Sequence, residues 1–105
     1  MGRKKHLDHL LEFENQVEKL IPIERMILFG SRANKKSTRR SDFDLILVSP
    51  AFRKTEFRKR SLQLYDCWNL DYPVDFLCYT PEEFKKLSKQ VSLVSQAIKE
   101  GIEIK

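Results

Sequence analysis

The chain has 105 residues, of which 41% are hydrophobic and 33% charged, and its formal net charge at pH 7 is +5. This length suits one small domain with a single core, and the composition is ordinary for a soluble globular protein. No apolar run approaches the length of a membrane span, and the basic, polar start lacks the apolar stretch of a secretory signal. We therefore expect one cytoplasmic domain over residues 1–105, with Cys67 and Cys78 as buried free thiols.

The first predicted element is an amphipathic helix over residues 4–20, which ends before Pro22. Its apolar side chains recur at the spacing of one helical face: Leu7, Leu10, Leu11, Val17, Leu20 and Ile21. The apolar run at residues 25–29 then predicts a first strand. This strand leads into a turn or short helix that begins at Gly30 and Ser31.

A second apolar run, residues 43–49, predicts a second strand that stops at Pro50. A middle helix is marked by four apolar residues: Phe57, Leu64, Tyr65 and Trp68. The run at residues 74–79 predicts a third strand. A small sheet with interspersed helices follows from this order of elements.

The last predicted helix has a well-defined start, with Thr80 as its N-cap, Pro81 at its first position and Glu83 three residues after the cap. Gly101 suits its end. Its apolar residues should face the core: Phe84, Leu87, Val91, Val94 and Ile98.

Two carboxylates, Asp42 and Asp44, stand one residue apart at the entrance of the second strand. Alternate strand residues face the same side, so both should project together. Two like charges repel unless a cation lies between them, and Mg²⁺ favours carboxylates together with substrate phosphates. Gly30 and Ser31 precede them: glycine lets a backbone approach a phosphate closely, and N–H groups at a helix start attract anions. The pattern indicates a metal–nucleotide site.

Geometry then constrains the topology. Gly30 follows the first strand and Asp42 precedes the second, so these strands must be adjacent and antiparallel to build one site. The return through a middle helix favours a parallel, right-handed crossover to the third strand. Asp75, at the entrance of that strand, is the expected third carboxylate. An aspartate between Val74 and Phe76 in an apolar strand is unfavourable unless it has a functional role or an interaction partner. The alternative is a charge on a solvent-facing strand edge.

The positive charge is concentrated in two segments. The first lies within the motif and contains Arg32, Lys35, Lys36, Arg39 and Arg40. It would attract a triphosphate or a nucleic acid, and charge alone does not choose between them. Arg32 itself could touch phosphate or form a surface salt bridge. The second segment is interpreted as solvated surface and contains Arg53, Lys54, Arg58, Lys59 and Arg60.

Gly30-Ser31, ten further residues, Asp42-x-Asp44 and a later Asp75 together resemble the signature of the polymerase-beta-like nucleotidyltransferase superfamily. The small size resembles its minimal nucleotidyltransferases, and the resemblance covers nearly the whole chain. It implies an α/β (α+β) fold like the polymerase-beta palm. Such a fold has a small mixed sheet, with an antiparallel first pair and a parallel crossover, flanked by helices.

The resemblance also implies roles for the site residues. Gly30 and Ser31 would hold the beta and gamma phosphates of ATP, with Arg32 as a further phosphate contact. Catalysis and the binding of two Mg²⁺ ions, or Mn²⁺, would fall to three carboxylates: Asp42, Asp44 and Asp75. The last of these would also help deprotonate the acceptor hydroxyl. Pyrophosphate would leave as the alpha-phosphorus is attacked in line.

Minimal nucleotidyltransferases resemble the antitoxin half of two-gene modules whose toxin is a small helical HEPN ribonuclease. The implied reaction is transfer of AMP from ATP onto a tyrosine of that partner. One alternative is a nucleotide-binding regulatory subunit without transferase activity. Another is a nucleic-acid module, which is disfavoured because the aromatic residues lie mainly at core spacing. A third is the toxin itself, with Arg3 and His9 as its pair, but these residues are interpreted as solvated near a terminus. We expect no membrane partner.

Overall fold

The computed structural model describes residues 2–30 and 43–105. The α-helices of this part of the chain are α1 (Gly2–Glu18), α2 (Leu62–Tyr65), α3 (Pro81–Ser88) and α4 (Leu93–Glu100). Its strands are β1 (Arg25–Phe29), β2 (Phe43–Val48), β3 (Val74–Tyr79) and β4 (Ile102–Glu103). The observed β1 and β3 have the predicted bounds, while α1 and β2 end slightly earlier than predicted. The fold is α+β, as expected.

The four strands form one mixed sheet in the order β3-β2-β1-β4. Strand β1 is antiparallel to β2, with Phe29 opposite Asp44, and β2 is parallel to β3. The antiparallel first pair and the parallel third strand are therefore confirmed. Together these pairings place the C-terminal end of β1 beside the N-terminal ends of β2 and β3. We call this end of the strands the site end.

Alternate residues of the strands fill two cores, one on each face of the sheet. One face packs against α1 and α2 and includes Phe43, Leu45 and Leu47 of β2. The other packs against α3 and α4 and includes Ile46 and Val48. All five side chains are buried, and burial of each contributes about 1.5–3 kcal/mol. The period of two therefore places Asp44 on the face that carries α3 and α4.

The segment between β2 and β3 is not the continuous middle helix that the sequence predicted. It consists of two 3-10 turns, Pro50–Lys54 and Phe57–Lys59, followed by the single turn of α2. Phe57 and Tyr65, two of the apolar residues that were predicted to mark this helix, are 49% and 46% exposed.

Arg60 is 7% exposed, so the prediction of a wholly solvated second basic segment is wrong at this residue. Its guanidinium donates hydrogen bonds to the carbonyls of Thr55 (2.9 Å) and Cys78 (3.1 Å). It also donates to the Glu83 carboxylate at 2.6 Å. A buried charge is tolerated when it is paired and hydrogen-bonded in this way. The other four cations of the segment are exposed, as predicted.

The predicted start of the last helix is observed. The Thr80 hydroxyl accepts from the Glu83 N–H (3.1 Å), and the Glu83 carboxylate accepts from the Thr80 N–H (2.8 Å). These reciprocal bonds satisfy two N–H groups that a helix start otherwise leaves free.

The predicted last helix is in fact two helices, because Ser92 interrupts it. The Ser92 hydroxyl donates to the Leu87 carbonyl (2.7 Å) and accepts from the Ser95 N–H (3.2 Å), which starts α4 anew. The break changes which residues face the core. Val91 is fully exposed and Ile98 is 38% exposed, so the prediction that they are buried is wrong.

Strand β4 was not predicted, because two residues are too few to show a periodic pattern. It pairs antiparallel with β1 at Ile27 and Leu28. Gly101, predicted at a helix end, lies between α4 and β4, where a Cβ atom would be 2.4 Å from the Ala97 carbonyl oxygen.

Both cysteines are free thiols, with Cys78 buried and Cys67 half-buried. Burial raises the pKa of Cys78 to about 12, so its thiol stays protonated at neutral pH. Among the helices of the described residues, none combines the length and the apolar content needed to cross a membrane.

Candidate active site

Asp44 stands at the second position of β2 and is half-buried. Its neighbours Phe43 and Leu45 are buried on the opposite face, against α1 and α2. The predicted alternation is thus observed: the strand turns its apolar residues into one core and Asp44 away from it. Asp44 lies opposite Phe29, the last residue of β1.

Asp75 is the register partner of Asp44 in the neighbouring parallel strand. Neighbouring strands lie about 4.8 Å apart, and residues in register project from the same face. Asp75 is exposed, whereas Val74 and Phe76 on either side of it are buried. The structure therefore brings two of the three predicted carboxylates together at the site end, one half-buried and the other open to solvent.

Gly30 follows β1 at the same end of the sheet. Its φ of +79° is in the left-handed region that favours glycine. A Cβ atom built on it would lie 2.6 Å from Oδ2 of Asp44, closer than real Cβ contacts. Any side chain at this position would displace the carboxylate or the backbone. The turn that was predicted to approach phosphate is thus directly beside a carboxylate that was predicted to bind metal.

Three predicted site residues, Ser31, Arg32 and Asp42, lie outside the described residues. The first basic segment, residues 32–40, lies there too. Their roles stay predictions. The same holds for the alternative pair with Arg3, a residue whose side chain is not among those described.

Sequence reasoning missed the aromatic surroundings of the site. It assigned Trp68 to the core of a helix and gave Tyr72 no role. Both rings lie edge-on against Phe43, the residue before Asp44, at centroid distances of 5.4 and 5.6 Å. The position of these two aromatic residues around the loop that leads to Asp75 could have indicated a contact with the site.

The described residues fit a divalent cation. Asp44 and Asp75 present carboxylate oxygens side by side, the donor type that Mg²⁺ and Mn²⁺ prefer. Oδ2 of Asp44 approaches the Gly30 backbone within the space that a side chain at Gly30 would occupy. Within residues 2–30 and 43–105, no group of three or more His, Cys, Asp or Glu side chains is arranged to hold a metal. The predicted set needs Asp42 as well, so the metal assignment stays a prediction.

Comparison with known proteins identifies the family of the chain. The family model of the nucleotidyltransferase domain matches residues 10–104. A crystal structure of a candidate nucleotidyltransferase from Sulfolobus solfataricus superimposes with a TM-score of 0.68, covering 96% of this chain and 80% of that one. The two sequences are 19% identical, so this likeness concerns the fold. No curated protein matches the chain in sequence. Because the family match spans almost the whole sequence, the chain belongs to the nucleotidyltransferase domain family.

Proposed function

We propose that this nucleotidyltransferase transfers AMP from ATP, with Mg²⁺, onto a hydroxyl group of a partner protein. The observation that carries the proposal is the register pair of Asp44 and Asp75 beside Gly30. Two adjacent carboxylates next to a left-handed glycine suit a metal-bound triphosphate and an attacking hydroxyl. The nucleotide and the acceptor are inferred from this arrangement and from the resemblance to the family.

The triphosphate would lie against the turn that begins at Gly30. The missing side chain lets the phosphates approach the backbone, and Ser31 would add a hydroxyl. Asp42 and Asp44 would hold the metal ions, with Asp75 as a further ligand. When bound, two Mg²⁺ ions would neutralise the phosphates and stabilise the entering and leaving oxygens.

Of the two described carboxylates, Asp75 is the better placed for the acceptor. It is exposed, whereas Asp44 is half-buried, so an incoming hydroxyl reaches Asp75 more easily. A carboxylate within hydrogen-bond reach of that hydroxyl can accept its proton as the oxygen attacks the alpha-phosphorus. The bond to the beta-phosphate oxygen then breaks, and pyrophosphate carries away the remaining charge.

A protein acceptor is supported by the surface along β3. Tyr65 and Arg60 donate hydrogen bonds to the Val74 and Cys78 carbonyls, so the segment before β3 runs along this strand. The segment exposes apolar side chains: Phe57 at 49%, Leu62 at 63% and Tyr65 at 46%. Exposed apolar side chains grouped in one segment suit a protein interface better than a small-molecule pocket. We propose a helical HEPN-type toxin as this partner and one of its tyrosines as the acceptor, which makes the chain its antitoxin.

The principal alternative is a regulatory subunit that binds metal–ATP without transferring AMP. A nucleic-acid module is the other alternative. The nucleic-acid module was disfavoured because the aromatic residues lie mainly at core spacing, but Phe57 and Tyr65 are half-exposed and could stack on bases. However, two of the neighbouring cations are already paired, Arg53 with Glu82 and Lys59 with Glu56.

The test is label transfer with the purified chain, a co-purified HEPN-type helical partner and Mg²⁺. Label from alpha-phosphate-labelled ATP should become covalently attached to the partner, whereas gamma-phosphate label should not. The reason is that nucleotidyl transfer retains the alpha phosphate and expels pyrophosphate. Mass spectrometry should then find AMP on a tyrosine.

Three results would contradict the proposal. Gamma label on the partner would indicate a kinase. Metal-dependent ATP binding without any transfer would favour the regulatory subunit. Tight binding of single-stranded RNA or DNA that is lost when Phe57 and Tyr65 are replaced by alanine would favour the nucleic-acid module.

A further inference from the structure

The side chain of Trp68 holds the backbone that leads into β3. Its indole N–H donates a hydrogen bond to the Tyr72 carbonyl at 2.8 Å. The next carbonyl, that of Pro73, accepts from the Phe43 N–H at 2.9 Å. The short segment of residues 72 and 73 is thus tied on one side to Trp68 and on the other to the residue before Asp44.

Ring contacts fix the orientation of the indole. Trp68 lies edge-on against Phe13 of α1, with ring centroids 5.3 Å apart and an interplanar angle of 83°. It is also edge-on against Phe43 of β2 (5.4 Å, 66°) and Phe76 of β3 (6.0 Å, 85°). Such contacts are favourable aromatic geometries. Because the indole is held by a helix and two strands, its N–H has a fixed direction towards Tyr72.

We propose that Trp68 is a positioning residue for the metal–nucleotide site, acting through residues 72 and 73 to keep Asp75 in register with Asp44. The inference rests on the proposed function, because it assumes that these two carboxylates bind metal. Asp44 directly follows Phe43, and Asp75 follows Pro73 by two residues, so movement of the 72–73 backbone changes the spacing of the carboxylates. Metal sites respond strongly to such outer contacts, whose loss costs about 10- to 100-fold in affinity or activity.

The experiment measures the affinity of the intact chain for Mn²⁺, by electron paramagnetic resonance, in the presence of an ATP analogue with a methylene bridge between its alpha and beta phosphates. Trp68→Phe removes the N–H donor and keeps an aromatic ring. Trp68 is the only tryptophan of the sequence, so replacing tryptophan by benzothienylalanine during expression removes that N–H alone and keeps the ring shape. The benzothienylalanine protein carries the measurement if Trp68→Phe does not fold. We expect each folded variant to bind Mn²⁺ about tenfold more weakly than the wild type.

The matched control is Val17→Ala, which opens the same core from α1 and removes none of the ring contacts of Trp68. It should lower the melting temperature and leave Mn²⁺ affinity unchanged. Wild-type Mn²⁺ affinity in the benzothienylalanine protein would overturn the inference, as would an equal loss of affinity in Val17→Ala. If the wild type itself binds no Mn²⁺ with the analogue, the proposed function fails first, so the two failures are distinguishable.

Discussion

Asp44 and Asp75 lie side by side in register on two parallel strands, although 31 positions separate them in the sequence (75 − 44). One is half-buried and the other is exposed, so their surroundings differ even though they are neighbours. This difference suggests a division of roles, in which both carboxylates bind metal, Asp44 also serves the triphosphate and Asp75 also serves the acceptor. The following predictions separate these roles.

Replacement of Gly30 by alanine should weaken metal-dependent ATP binding about tenfold or more, and valine should be worse. The new Cβ atom would lie 2.6 Å from Oδ2 of Asp44, and the left-handed backbone would cost about 1 kcal/mol or more of stability. Calorimetric titration with Mn²⁺ and ATP measures the affinity. Gly2→Ala, in the first residue of α1, is the control and should bind as the wild type does. Full affinity in Gly30→Val would show that the turn is only structural.

Asp44→Asn should lower the affinity for Mn²⁺–ATP and leave the domain folded, and adding Asp42→Asn should remove the metal dependence of ATP binding. The reason is that an amide carries no charge with which to hold a divalent cation. The rise in melting temperature on addition of Mn²⁺ and ATP reports binding in both variants. Asp66→Asn changes an exposed carboxylate at the end of α2 and should leave that rise unaltered. Equal ATP affinity in the double variant and the wild type would count against the site.

Asp75→Asn should abolish AMP transfer and weaken Mn²⁺ binding, while the affinity for ATP at saturating Mn²⁺ stays largely intact. The asparagine side chain keeps the size of aspartate but cannot accept the proton of the acceptor hydroxyl. Single-turnover transfer, measured alongside ATP affinity, separates the two effects. Asp71→Asn, an exposed carboxylate in the loop before β3, is the matched control and should transfer normally. Undiminished transfer in Asp75→Asn would exclude the proposed role.

Glu14 should make the stability of the domain depend on pH. It is 5% exposed on α1, and its Oε1 atom has no hydrogen-bond partner among the described residues. Burial, followed by the neighbouring Glu18, raises the pKa of Glu14 to about 7, although Lys105 acts in the opposite direction from 3.8 Å. The pKa of Glu18 is lowered, mainly by its hydrogen bond with Glu14. This lowering partly offsets the effect of the raised Glu14 pKa on the pH dependence of stability. Glu14 dominates because it is the buried member of the pair.

The folded state binds the Glu14 proton more tightly than the unfolded state, because the folded pKa is the higher one. The stabilisation from that proton is therefore complete below the ordinary glutamate pKa of 4.5 and is lost as the pH rises through about 7. We expect the free energy of unfolding to fall by about 1–2 kcal/mol across this window. Glu14→Gln should remove the fall, and Glu12→Gln, an exposed position on α1, should keep it. Urea denaturation at several pH values measures the free energy of unfolding. Identical pH profiles for the wild type and Glu14→Gln would show that Glu14 does not cause the pH dependence.

Much of the fold follows from local patterns in the sequence. The apolar runs predicted β1 and β3 to the residue, and the run after Asp42 predicted β2 to within one residue at its end. Thr80 and Glu83 predicted a capping box that is observed. Periods, caps and proline stops act over a few residues, so their physical causes are contained in the segment itself.

The motif in the sequence also predicted that Gly30, Asp44 and Asp75 meet at the site end, and the structure brings these three residues together there. Only the tertiary structure decided the register of Asp44 with Asp75 and the close approach of Gly30 to Asp44. It also decided that Arg60 is buried and that Val91 is exposed. These properties depend on which surfaces meet across the sheet, and a buried cation is stable only where distant groups such as the Glu83 carboxylate satisfy it. Local periodicity contains no information about those distant partners.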